Sequence, residues 1–411
     1  MLFKNFYLLD LDGTVTLGDL RLQQGRITAR GALTPGEGEE VVDGRGLKAA
    51  CVPFFNAHGH GPMTLLRGLG EDKALKAWLE EDIFPREAHL TGEMVYAGQR
   101  LALLEEVKGG VAGLDEMYYF YDQISRACDE FGVKLARGTS FNGDFPAGAR
   151  ERLFKDPHAP YTLTLEQMSE AAAEAKERGI GLRTHFLEAQ WERGYLAEAF
   201  GMTPLEYLKA TGLADVNKLV LAHCVYLTAD EARQLAEWGN VAVVHNPASN
   251  LKLGSGICPT TAFLAQGLPL ALGTDGAASN NTLDMWREMQ LASLLAKGTT
   301  LDPTALNASA TLRMATVAGY EAFGFEAPTL QEGSVADLMT LDLTDPSMNG
   351  ADESTLLGFV VTAGHKGLVR DVVVDGRWVV RDGKVPFDEE EIKAQAALAR
   401  RQLNEAARKK S

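Results

Sequence analysis

The chain has 411 residues, length for about two or three domains, and an ordinary globular composition of 45% apolar and 23% charged residues. Its 40 Lys and Arg stand against 56 Asp and Glu, a formal charge of -16 that argues against nucleic-acid binding and against a polybasic membrane anchor. No apolar run is long enough to span a bilayer, the first residues lack a secretion signal, and the four cysteines are scattered without a CxxC. A reducing cytoplasm is the expected compartment.

Residues 1–50 read as short strands and turns, with runs at 6–9, 20–22 and 26–29 punctuated by glycines. Within them Leu8-Leu9-Asp10-Leu11-Asp12-Gly13-Thr14-Val15 matches the opening motif of haloacid dehalogenase-type phosphatases. That chemistry would need Mg²⁺, Asp10 as nucleophile, a helix soon after and a later GDxxxD-type motif. The residues that follow look like a hairpin instead, so Asp-Gly as a turn is the better account.

From residue 50 onward, short apolar runs alternate with amphipathic stretches. The runs cover 50–56, 111–117, 133–137, 182–185, 219–223, 241–245 and 268–275. Leu75, Trp78 and Leu79 give one intervening helix an apolar stripe, which makes Trp78 a core residue. Thr164 with Gln167 and Thr228 with Glu231 match the capping-box pattern, and Asp302-Pro303 places proline at a first helical position. This alternation predicts a (β/α)₈ TIM barrel over 51–330, with its chemistry at the strand C-terminal ends. The chain between Ser140 and Phe154 is too short for a complete βα unit, so a shortened barrel is expected around strands 3 and 4. Residues 331–385 return to strands, with Asp375-Gly376 between two β-branched runs as a hairpin signal. Together with 1–50 they predict a small β-sandwich built from both termini. Residues 386–411, rich in alanine and charge, read as a C-terminal surface helix.

Of the eight histidines, two form Asn56-Ala57-His58-Gly59-His60 directly after an apolar run. On a strand, residues two apart share a side, so both imidazoles can reach one metal ion. His185, His223 and His245 close three further runs, and Asp275 closes a fourth. A buried core histidine or a helix-capping aspartate is the usual account of each alone. Four separate strands each ending in a ligand-type residue are hard to explain that way, because the active face of a barrel is where such ends converge.

This constellation resembles the amidohydrolase superfamily, and within it the 5′-methylthioadenosine/S-adenosylhomocysteine deaminases and their chlorohydrolase relatives. The match is densest at 53–70 (PFFNAHGHGPMTLLRGLG), 157–162 (PHAPYT), 185–188, 222–224, 245–256 (HNPASNLKLGSG) and 272–284 (LGTDGAASNNTLD). The resemblance implies one divalent metal, zinc before iron, held by His58, His60, His185 and Asp275. Relatives with two metals use a lysine on the fourth strand, and Pro157-His158-Ala159-Pro160 holds none. It further implies Glu188 as general acid/base toward a ring nitrogen and the leaving amine. His223 would orient the attacking water and stabilise charge at carbon, and Asp275 would accept the water's proton while ligating. For substrate contacts it implies Glu87 at the ribose hydroxyls, His158, and Arg137. Their plain alternatives are a solvated helix-end acid, a turn histidine and a surface arginine.

The implied activity is hydrolytic deamination of an adenosine-type nucleoside, a small-molecule substrate, with a homo-oligomer left open. Guanine-type or triazine substrates remain alternatives, and so do a phosphatase and a non-catalytic barrel that carries no metal. One departure stands out. Gly59 and Gly61 replace a threonine and a bulkier residue of the family pattern, which would widen the pocket floor.

Overall fold

The computed structural model describes residues 1–139 and 150–408. At the N-terminal end β1 (Leu2–Leu9), β2 (Val15–Gln23) and β3 (Arg26–Gly31) pair antiparallel, while β4 (Val41–Asp43) and β5 (Lys48–Cys51) run parallel to β1. Between β1 and β2, the Gly13 amide donates to Asp10 O at 3.0 Å and the Thr14 amide to Asp12 Oδ1 at 2.9 Å, with Gly13 at φ +92. Arg30 grips the Asp10 carboxylate through both terminal nitrogens, at 2.8 and 2.7 Å. The dehalogenase-like motif is thus a hairpin turn with its first aspartate occupied by an arginine.

The apolar run 50–56 divides at Val52-Pro53, because proline cannot donate to a ladder. Its second half, β6 (Phe54–His60), opens the barrel. β7 (Val111–Glu116), β8 (Lys134–Gly138), β9 (Glu151–Lys155), β10 (Gly181–Phe186), β11 (Leu219–His223) and β12 (Val241–His245) follow, each parallel to its predecessor. The eighth strand is in two pieces. β13 (Leu270–Leu272) pairs with β12, β14 (Asp275–Gly276) pairs with β6, and the ring closes.

β9 carries no apolar run, and Glu151 is buried against Arg137, with Nε–Oε2 at 3.2 Å. The expected shortening around strands 3 and 4 falls largely on residues 140–149, Ser140 included, which lie outside the described residues. β8 and β9 themselves are hydrogen-bonded neighbours.

One end of the barrel is apolar. Phe55, Phe154 and Val244 belong to a cluster closed by Tyr320, Phe323 and Phe325, with Phe55 stacked on Phe323 at 5.6 Å. Aromatic side chains close that end, and the histidines and aspartate of the sequence pattern lie at the opposite one.

Both expected capping boxes form, at the helices Leu165–Arg178 and Ala229–Trp238. The helix expected at Pro303 does not. Asp302 Oδ1 accepts the Thr304 amide at 2.8 Å as a local turn, and the helix Ala308–Ala315 begins later, capped by Asn307. A short polar side chain that can bond its own backbone competes with the helix at such a position.

β15 (Leu338–Asp342), β16 (Val369–Val374) and β17 (Arg377–Val380) extend the first sheet, with β15 antiparallel to β5. Strands from both ends of the chain therefore share one hydrogen-bonded path, and Asp375 and Gly376 turn between β16 and β17 at φ 49 and 74. The final helix, Glu389–Arg408, is exposed on one side only. Ile392, Ala396, Ala399 and Leu403 form a buried stripe, and the helix packs along Gly92–Lys108. Burying Ile392 and Leu403 contributes about 2 kcal/mol each. No helix among the described residues is long and apolar enough to cross a membrane.

Candidate active site

His58 and His60 lie on β6 with the alternation of a strand, so both rings point into the barrel mouth. β10 brings His185 and β14 brings Asp275. One ligand atom from each of these four buried side chains lies within 4.8 Å of the other three. His60 Nε2 is 3.2 Å from Asp275 Oδ1 and 3.3 Å from His185 Nε2, and His58 Nε2 is 3.6 Å from Asp275 Oδ1.

The hydrogen bonds on the far side of the rings settle what this cluster needs. His60 Nδ1 faces Met117 O, and His185 Nδ1 faces His158 O at 2.8 Å. A backbone carbonyl only accepts, so each Nδ1 carries a proton, and Nε2 is the nitrogen left to serve as the ligating atom. Two such nitrogens facing each other at 3.3 Å beside a carboxylate call for a shared cation. His58 Nε2 is buried and has no hydrogen-bond partner, a deficit of about 1–3 kcal/mol that a cation would remove. Three imidazoles and one carboxylate suit a single divalent ion that accepts nitrogen and oxygen ligands.

The charge states of His58, His185 and Asp275 agree with ligation, whereas His60, despite its burial, is raised to about 9 by the Asp275 carboxylate beside it, so an ion must displace its Nε2 proton. Burial and the neighbouring imidazoles hold His58 well below the ordinary histidine range, and the same causes act on His185. Asp275 stays far below the usual carboxylate range despite its burial, through its hydrogen bond with His60 and the nearby imidazoles. Its other oxygen accepts from Ser249 Oγ at 2.6 Å. Asp275 and His223 sit at φ 60 and 72, left-handed conformations that cost about 1–3 kcal/mol each in a residue other than glycine. Strain of this kind collects where a side chain must be aimed.

Glu188 and His223 stand beside the cluster. Glu188 Oε2 is 3.6 Å from His223 Nε2, while Ser255 Oγ donates to Glu188 Oε1 at 3.1 Å. His223 Nδ1 contacts Asn250 Oδ1 at 2.8 Å, which leaves its buried Nε2 without a hydrogen-bond partner. Burial raises the Glu188 carboxyl above the ordinary range, against the pull of His223, so it can carry a proton closer to neutrality.

Of the three expected substrate residues, two are near the metal cluster. The His158 ring lies 4.6 Å from that of His185, and its Nδ1 contacts Thr162 Oγ1 at 3.0 Å. Glu87 is half-buried in the field of His60, and Tyr119 Oη reaches its carboxylate at 3.5 Å. Arg137 is neither at the surface nor gathered at the cluster, since it is fully buried and paired with Glu151. His245 ends β12 but stays outside the ligand group, and burial pushes it down to about 3. Trp78 is core, 4% exposed.

The two glycines do not widen the floor, since a Cβ on Gly59 would already lie 3.2 Å from Asp115 O. A Cβ on Gly61 would lie 2.5 Å from both Gln99 Oε1 and Glu116 Oε1, and the Gly61 amide donates to the Glu116 carboxylate at 2.9 and 3.0 Å. Glu116 and Gln99, from β7 and the helix Gly92–Lys108, fill the space. Sequence reasoning missed Ser249, Asn250 and Ser255, small polar residues whose only signal was the 245–256 segment they share.

Residues 52–379 match the amidohydrolase family. The 5′-deoxyadenosine deaminase of Methanothermobacter thermautotrophicus is 36% identical over 409 residues, covering 94% of this chain and 95% of its own. The 5-methylthioadenosine/S-adenosylhomocysteine deaminase of Dictyoglomus thermophilum is 37% identical over 377 residues, covering 87% of each. Among solved structures, an adenosine deaminase from Xanthomonas campestris with bound zinc matches at a TM-score of 0.90 and 29% identity, over 98% of both chains. With the family match covering most of its length and relatives this similar from end to end, the chain belongs to the amidohydrolase family.

Proposed function

We propose that the protein is a metal-dependent hydrolase that deaminates adenosine-type nucleosides to the inosine analogue and ammonia. The observation that carries this is one His-His-His-Asp cluster with a buried, non-ligating carboxylic acid, Glu188, beside it. The deaminase names of relatives at 36% and 37% identity support the nucleoside as substrate. Zinc is the proposed ion, supported by the zinc-bound neighbour.

His58, His60, His185 and Asp275 would hold the ion, which supplies the Lewis acidity that makes water nucleophilic near neutral pH. Asp275 takes the proton of the attacking water. Glu188, whose carboxyl burial raises above its ordinary range, donates its proton to a purine ring nitrogen, takes up the proton of the hydroxyl formed at the ring carbon and delivers it to the departing amine, and the proton held by Asp275 restores it. His223 turns Nε2 toward the cleft, orients the water and stabilises charge as the ring carbon becomes tetrahedral. Glu87 and His158 bind the nucleoside.

Ammonia release from zinc-loaded protein tests the proposal across adenosine, 5′-deoxyadenosine, 5′-methylthioadenosine, S-adenosylhomocysteine, guanine and an aminated triazine. Turnover of at least one adenosine derivative, ahead of guanine and the triazine, is expected. Turnover of only guanine or the triazine, or no ammonia from any of them, would overturn it.

A further inference from the structure

Beneath the four ligand residues the barrel holds a charged pair that the chemistry above does not use. Residues two apart on a strand share a face, so Arg183 lies on β10 one step below His185 and enters the barrel with it. Arg183 is 2% exposed, and Asp115 on β7 is 0% exposed. One guanidinium nitrogen donates to Asp115 Oδ1 and another to the Glu116 backbone carbonyl. Asp115 Oδ2 is buried without a hydrogen-bond partner and lies 3.9 Å from His58 Nδ1.

Interior layers of such barrels are ordinarily packed with Val, Ile and Leu. A buried ion pair there is seldom more stable than apolar groups of similar volume. Stability therefore does not account for the pair, and its direction does. His60 and His185 each place Nδ1 against a backbone carbonyl, which aims Nε2 at the cluster. Ligating imidazoles ordinarily have such a partner on the second nitrogen. For His58 the acceptor facing Nδ1 is Asp115 Oδ2.

We propose that Asp115 is a positioning residue of the metal centre: it accepts the Nδ1 proton of His58 and so fixes the tautomer whose Nε2 lone pair faces the ion, while Arg183 holds the carboxylate in place. At 3.9 Å the contact is longer than a hydrogen bond, so it must shorten in the zinc-loaded protein. This role rests on His58 being a metal ligand.

The test is zinc affinity, measured by competition against a chelator, with the fold followed by circular dichroism. Asp115→Asn should weaken zinc binding about 10- to 100-fold. That variant leaves the buried Arg183 charge without the Asp115 counter-charge, so the double variant Asp115→Leu/Arg183→Met provides a second route: it should stay folded and show the same loss. The third readout needs no substitution. In ¹⁵N-histidine-labelled parent protein loaded with zinc, the His58 ring should be protonated at Nδ1 and metal-bound at Nε2. Zinc affinity within about twofold of the parent in either folded variant would overturn the proposal. An unprotonated His58 Nδ1 in the parent would overturn it as well, and decides the matter if both variants unfold. If the parent itself binds no zinc, it is the metal reading that fails.

Discussion

His60→Ala protein is expected to purify without its metal and without measurable turnover. His60 is the hub of the cluster, with Nε2 3.2 Å from Asp275 Oδ1 and 3.3 Å from His185 Nε2. Removing it leaves two imidazoles and one carboxylate, and no side chain of similar reach replaces it from β6. Lewis-acid activation of water contributes several kcal/mol to a reaction of this kind, so turnover falls by orders of magnitude. The fold should survive, because β6 keeps its pairing with β7 and β14. Elemental analysis and circular dichroism on the same sample check both halves of the expectation. Retention of a full metal equivalent would remove His60 from the ligand set.

Glu188→Gln separates proton transfer from metal binding. Glutamine keeps the size of the side chain and can still meet Ser255, which lies 3.1 Å from Glu188 Oε1. It cannot shuttle a proton. Metal content and KM should stay near those of the parent, while kcat falls at least about 100-fold, the usual cost of removing a general acid. Loss of metal from this variant would make Glu188 a ligand. An unchanged kcat would send the proton through another group, with His223 next in line.

Much of this site was legible in the sequence because strand periodicity is a strong geometric signal. His58 and His60 are two apart on a run that pairs on both sides, so their convergence follows from the pleat alone. His185, His223, His245 and Asp275 all end apolar runs, and only the family resemblance singled out His185 and Asp275 among them as ligands. β9 was hidden for the opposite reason. Glu151, Arg152 and Lys155 break the apolar pattern, and the cross-strand partner Arg137 helps make a buried Glu151 tolerable. That partner also removes Arg137 from the surface where a lone arginine is expected. Pro303 misled because Asp302 satisfies the chain locally, a competition that a capping pattern does not display. The floor at Gly61 was misjudged because its filler, Glu116 with Gln99, comes from other elements. A missing side chain in one strand says nothing about what its neighbours place there. Asp115 and the serines near Asp275 and Glu188 carry no periodic signature, and the spacing of Arg183 from His185 gives its face but not its partner. Their significance lies in which atom each one faces.

The central claim is that a single ion at His58, His60, His185 and Asp275 drives deamination. Adding zinc stepwise to metal-free protein while following ammonia release from 5′-deoxyadenosine or 5′-methylthioadenosine measures this directly. Activity should be absent at the start, rise in proportion to zinc and level off at one equivalent per chain. A plateau at two equivalents, or full activity before any metal is added, would contradict it.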